Sequence, residues 1–119
     1  MTNPNIAALT TITGKTVADS VTTAGIVVLS NGVASNQVLK VNSLLISNID
    51  GTDSADITIQ LNDGSNNYAL ASTIIVPADA TLVVISKDMG IYLEEGWSIT
   101  ATASADGDLQ SICSYELVS

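Results

Sequence analysis

Alternation of apolar and polar residues with a period of two is the feature that most constrains how this chain can fold. In the segment 56–61, apolar side chains occupy every second position, namely Ile57, Ile59 and Leu61. Such a pattern is typical of a half-buried antiparallel strand. No segment sustains an apolar stripe at helical spacing, so the sequence predicts an all-β fold.

Two longer segments repeat the alternation. In Val38–Ile49 the pattern predicts one shared face, made of Leu39, Val41, Leu45 and Ile49. In Leu109–Val118 the single cysteine, Cys113, alternates with other candidate core residues, and we expect a buried structural thiol there. A lone cysteine also excludes a disulfide within the chain.

Turn dipeptides separate the predicted strands. Asp50-Gly51, Asp63-Gly64 and Asp106-Gly107 accept turn conformations, and Asn31-Gly32 is the strongest hairpin signal among them. About eight strands at such spacing predict an antiparallel β-sandwich of the jelly-roll or immunoglobulin-like type.

The N-terminal residues have a weaker pattern than the rest. We therefore predict that residues 1–14 form an extended arm or a first strand, and that residues 15–119 form a single sandwich domain. An arm could add a strand to a partner's sheet edge through main-chain hydrogen bonds. The apolar side chains predicted to bind the partner are Ile6, Leu9 and Ile12.

Composition argues against several functions. The chain has 12 acidic and 3 basic residues, a net charge of −9, and neither histidine nor arginine. Three lysines cannot form a phosphate-binding surface, so we expect no nucleic-acid partner. Most acid–base and zinc mechanisms lose their usual participants, so we expect no enzyme and no cofactor. Apolar runs are strand-sized and the start lacks a secretory signal, so we expect no membrane association.

Two local features remain as candidate sites. Asp50, Asp53 and Asp56 cluster at a predicted turn and form a weak candidate calcium site, although aspartate and glycine are also ordinary turn residues. The same cluster would serve a carbohydrate- or calcium-binding module. Trp97 is the only tryptophan, and it is either a plug of the sandwich core or an anchor at a subunit interface.

Several strings resemble small virion structural proteins of tailed bacteriophages, particularly those of marine bacteria and cyanobacteria. They are SNIDGTDSADIT at 47–58, VPADATLVVI at 76–85, IYLEEG at 91–96 and SYELVS at 114–119, with NPNI at 3–6 and GKT at 14–16. The resemblance covers nearly the whole chain and departs at Trp97 and at Leu117-Val118.

The resemblance implies a non-enzymatic component of the virion, made in the host cytoplasm. We expect a capsid decoration (cement) protein on the head surface, binding major capsid subunits as a homotrimer. The alternative is a neck, tail or fibre-associated structural protein.

Overall fold

Nine strands in two antiparallel sheets make up the computed structural model of the protein, which describes residues 11–119. No helix occurs among these residues, and so none that could cross a membrane. The strands are β1 (Ile12–Ser20), β2 (Ile26–Ser30), β3 (Val38–Asn48), β4 (Ala55–Asn62), β5 (Asn67–Val76), β6 (Thr81–Ile85), β7 (Ile91–Leu93), β8 (Ser98–Ala103) and β9 (Leu109–Val118). The predicted all-β class and antiparallel sandwich are confirmed.

The two sheets have four strand positions each. Sheet A has the order β1-β9-β3-β6, and β7 also pairs with β3. Because β6 pairs with the second half of β3 and β7 with its first half, the two short strands form one interrupted edge. Sheet B has the order β2-β8-β4-β5.

The strand β4 alternates as the sequence predicts. Ile57 and Ile59 are fully buried between the sheets, and Leu61 packs at the margin of the core. The core is mainly aliphatic, since most of the side chains around them are valine, leucine, isoleucine and alanine of both sheets.

In β3 the predicted shared face is wrong beyond Val41. The register with β9 shifts between Val41 and Ser43, which marks a β-bulge. An extra residue reverses the side-chain phase of a strand. Consequently Leu44 and Ile46 are fully buried, whereas Leu45 is half-buried on the outer face and Ile49 is exposed.

The hairpin predicted at Asn31-Gly32 is also wrong. The strand before it, β2, lies in sheet B, and the strand after it, β3, lies in sheet A, so the two do not pair. Of the turn dipeptides, Asp63-Gly64 joins paired strands, because β4 and β5 are antiparallel neighbours. Asp50-Gly51 and Asp106-Gly107 lie in connections that cross between the sheets.

Strand β1 begins inside the segment predicted as arm or first strand. Its residues 12–14 pair with β9, so the described part of that segment is strand. Residues 1–10, which include Ile6 and Leu9, lie outside the described residues.

Candidate functional site

The outer edge of β1, on the side opposite β9, is a long stretch of exposed strand. Side chains of β1 are exposed on both faces, except for the half-buried Val17. The pairing with β9 runs without a register shift over all nine residues.

Hydrogen bonds at the two ends of β1 show which of its main-chain N–H and C=O groups are not bonded to β9. Thr11 and Ser119 exchange both main-chain hydrogen bonds at 3.0 Å, and Val21 N donates to Leu109 O at 2.9 Å. In an antiparallel ladder every second residue bonds to a given neighbour. Odd-numbered residues of β1 therefore bond to β9, and the N–H and C=O groups of the even-numbered residues point away from it. These residues are Ile12, Gly14, Thr16, Ala18 and Ser20.

The other edges of the described sheets are less regular. Strand β2 is short and its register shifts between Val27 and Leu29. Strand β5 has two register shifts, and its Thr73 adopts a φ of 50°. The third edge is interrupted by residues 86–90, between β6 and β7. Bulges and interruptions protect strand edges from pairing with other chains, so the β1 edge is the one left long and straight.

The outer face of sheet A carries a row of apolar side chains across its four strands. Register pairs Leu45 with Val83 on one side and with Ile112 on the other, and Ile112 with Ala18. Val83 is 55% exposed and Ile112 is 38% exposed. Hydroxyl and amide residues flank this apolar row, namely Thr16, Ser43 and Ser114 on one side and Ser20, Ser47, Thr81 and Gln110 on the other. Contiguous exposed apolar side chains within a polar rim are typical of contact surfaces.

The two described residues that we predicted to bind a partner lie on different sheets. Ile12 begins β1 of sheet A and is 66% exposed. Trp97 precedes β8 of sheet B, is half-buried and packs against the core. Its main chain is fixed, since Trp97 N donates to Glu94 O at 3.0 Å and Asn31 N donates to Trp97 O at 2.9 Å.

The three aspartates of the candidate calcium site do not form a set of metal ligands. Asp50 Oδ1 accepts hydrogen bonds from the main-chain N of Thr52 at 2.8 Å and of Asp53 at 3.2 Å. Asp56 is in β4, and its main-chain N donates to Ser104 Oγ at 2.8 Å. Within residues 11–119, no three His, Cys, Asp or Glu side chains are arranged to hold a metal ion.

A fourth aspartate, Asp108, lies beside this turn. Desolvation raises the pKa of Asp108, and the negative charges of Asp50 and Asp53 raise it further. The hydrogen bonds from Thr52 and Asp53 instead lower the pKa of Asp50. The turn thus brings acidic side chains together, and main-chain hydrogen bonds to Asp50 hold its conformation.

Cys113 is buried in β9, as the alternation predicts. Desolvation raises the pKa of its thiol to about 11. A thiol with that pKa is almost entirely protonated at neutral pH, and the thiolate is the nucleophilic form. Cys113 is therefore a core side chain.

Sequence reasoning missed both the apolar row and the open groups of the β1 edge. Ile112 is the outward neighbour of Cys113, so alternation in β9 could have indicated it. Leu45 could not be assigned, because the bulge in β3 has no sequence signal of its own. Which main-chain groups of β1 are open depends on its register with β9, almost a hundred residues later.

No family model matches the chain, and no curated protein matches it. Among solved structures, similarity is found to a chain from the work described as "Bacillus endospore appendages form a novel family of disulfide-linked pili". The two are 13% identical with a TM-score of 0.49, over 90% of this chain and 87% of that chain. Similarity at this level assigns no function.

Proposed function

We propose that this chain is a non-enzymatic structural protein of a tailed-bacteriophage virion, and specifically a capsid decoration protein that binds major capsid subunits on the head surface. The proposal rests on the sequence resemblance. The observation in the structure that supports it is the apolar row on sheet A, in which Val83 and Ile112 are exposed. An exposed apolar row rimmed by hydroxyls is suited to binding a protein surface.

We further propose that the sandwich is a jelly roll. When β6 and β7 are counted as one interrupted strand, each sheet has four strands. Their orders are β1-β9-β3-β6/β7 in sheet A and β2-β8-β4-β5 in sheet B. Most sequential strands change sheet, including β1 and β2, whereas an immunoglobulin-like fold keeps its first two strands in one sheet. Jelly rolls are built from two Greek keys and occur in viral capsid and lectin domains.

In the proposed decoration role the protein binds the capsid through surface complementarity and apolar contacts and catalyses no reaction. Decoration proteins must hold adjacent capsid subunits together, and a small domain gains avidity by binding in several copies. Several copies bound to the shell would present the apolar row to it repeatedly. The residues that precede β1 would add main-chain hydrogen bonds to a capsid sheet edge.

Imaging of purified virions tests the proposal. The full-length protein would be located by electron microscopy with a specific label, and its copy number measured by quantitative mass spectrometry. Signal over the whole head at high copy number supports decoration. Few copies confined to the neck, tail or fibres would overturn decoration in favour of the alternative location, and absence from particles would overturn the virion role altogether.

A further inference from the structure

The β1 edge is complementary to itself in both hydrogen bonding and charge. We propose that two copies of this chain pair along their β1 edges, antiparallel, about a two-fold axis at Val17. Sheet A of one copy then continues into sheet A of the other. The contact is independent of where the protein lies in a virion.

Hydrogen bonding restricts the register of such a pair. Only the even-numbered residues of β1 have main-chain groups directed outward, so they must face one another. With Val17 opposite the partner's Val17, Thr16 faces Ala18 and Gly14 faces Ser20. Each of these pairs can exchange two hydrogen bonds, giving about eight across the contact.

Charge selects this register over its neighbours. Lys15 and Asp19 are both exposed and lie on the same face of β1 as Val17. In the proposed register each Lys15 lies directly opposite the partner's Asp19, at a non-hydrogen-bonded position where side chains approach most closely. Shifting the pair by two residues in either direction places one of these charges opposite Val17 instead.

Within one chain these two charges cannot pair. Four residues of extended strand separate Lys15 from Asp19 by about 13 Å. Lys15 is one of three basic residues in a chain of net charge −9, and among the strands that the structure describes it lies on the long, regular edge. A self-complementary edge is what an isologous two-fold contact requires.

Gly14 fits the same contact. A Cβ atom at this position would meet nothing within 4 Å, so packing within the chain does not require glycine there. Glycine weakens a strand interior and marks places where another backbone comes close. In the proposed register Gly14 faces the partner's Ser20 at a hydrogen-bonded position.

Charge exchange tests the proposal on the full-length chain. Sedimentation equilibrium at low salt would compare the wild type with Asp19→Lys, Lys15→Asp and the double exchange. We expect a wild-type dimer, association weakened about tenfold or more in each single variant because like charges then face each other, and recovery in the double variant. High salt should reduce the difference between the wild type and the single variants, because salt screens the exposed charges that distinguish them.

Asp88→Lys is the matched control for charge, since Asp88 is exposed in the loop between β6 and β7. It removes the same amount of negative charge as Asp19→Lys, and so relieves general repulsion equally without touching β1. Association equal to or stronger than the wild type is expected for Asp88→Lys. Equal behaviour of Asp88→Lys and Asp19→Lys would overturn the proposal.

Ala18→Pro tests the hydrogen bonds. The main-chain N–H of Ala18 points away from β9, so proline removes a bond of the contact and none of the β1–β9 ladder. A folded monomer is expected, with its fold checked by circular dichroism.

A wild-type chain that stays monomeric at high concentration, or a trimer unaffected by either charge exchange, would overturn the proposed two-fold contact.

Discussion

Asn48 and Val76 join the two sheets through a buried hydrogen bond. Asn48 Nδ2, at the end of β3 in sheet A, donates to Val76 O, at the end of β5 in sheet B, over 2.9 Å. The same Nδ2 donates to Asp53 O at 3.0 Å, and Asn48 Oδ1 accepts from Asp50 N at 2.9 Å. One side chain therefore holds both the sheet ends and the turn that connects β3 to β4.

The side chain of Asn31, which follows β2 of sheet B, likewise forms a hydrogen bond to β7 of sheet A. Its Nδ2 donates to Leu93 O at 3.0 Å and to Gln37 O at 2.9 Å, and its Oδ1 accepts from Ser35 Oγ at 2.6 Å. Because both asparagines are buried, removing either amide would take a hydrogen-bond donor away from buried main-chain carbonyl groups.

Replacing Asn48 by Ala is expected to lower the free energy of unfolding by about 1–3 kcal/mol, since the buried hydrogen bond to the Val76 carbonyl is lost. Urea denaturation followed by circular dichroism would measure the loss. Asn66→Ala is the control, because Asn66 is exposed in the hairpin after β4. Equal losses in the two variants would contradict the role assigned to Asn48.

Replacing Ile59 by Ala is expected to cost about 2–5 kcal/mol of stability, because the side chain is fully buried between the sheets. Val83→Ala removes an aliphatic side chain that is mostly exposed and should cost far less. Chemical denaturation of both variants gives the comparison. A loss below about 1 kcal/mol for Ile59→Ala would mean that the inward face of β4 is assigned wrongly.

The bulge in β3 makes a prediction about two adjacent leucines. Leu44 is fully buried and Leu45 is half-buried on the outer face. Leu44→Ala should therefore cost about 2–5 kcal/mol, and Leu45→Ala clearly less. Thermal or urea denaturation distinguishes them, and the opposite ranking would place the phase reversal elsewhere in β3.

Replacing Asp108 by Asn is expected to stabilise the protein at neutral pH. Desolvation and the charges of Asp50 and Asp53 raise the pKa of Asp108 in the folded state. A raised pKa contributes stability that is fully present below the unfolded-state pKa and is lost as pH rises through the folded-state value. The gain should therefore be present at neutral pH and vanish in acid, as measured by denaturation at both.

Asp63→Asn is expected to have the opposite effect on stability from Asp108→Asn. Hydrogen bonds from the main-chain N of Asn66, at 2.7 Å, and of Ser65, at 2.9 Å, lower the pKa of Asp63. Its contribution is present above the unfolded-state pKa and is lost as pH falls through the folded-state value. Asp63→Asn should therefore destabilise the hairpin at neutral pH and have little effect in strong acid. A gain at neutral pH would contradict this account.

Deleting the N-terminal residues tests the arm. Removal of residues 1–13 is expected to leave a folded domain but to weaken incorporation into virions, because an arm contributes few core contacts and can bind a partner edge. A shorter deletion, of residues 1–10, leaves β1 whole and is the better control for folding. Normal copy number on virions after either deletion would mean that the arm is not the anchor.

The sequence by itself determined the class of fold and the composition of the core. Alternation in β4 correctly placed Ile57 and Ile59 inside, and alternation in β9 placed Cys113 there. Asp63-Gly64 correctly indicated a turn, because that turn is held by hydrogen bonds between residues two and three positions apart. Local sequence patterns are enough to predict a structural element when the contacts that stabilise it are close in sequence.

Only the tertiary structure decided which strands pair and which side chains face out. Asn31-Gly32 has the local chemistry of a hairpin, yet its flanking strands lie in different sheets, and the Asn31 side chain instead donates a buried hydrogen bond to Leu93 O. The bulge after Val41 reverses the faces of Leu44 and Leu45. The open groups of β1 follow from its register with a strand at the other end of the chain. Each depends on a partner distant in sequence, since side-chain phase and hydrogen-bond direction in a strand are fixed by its neighbour.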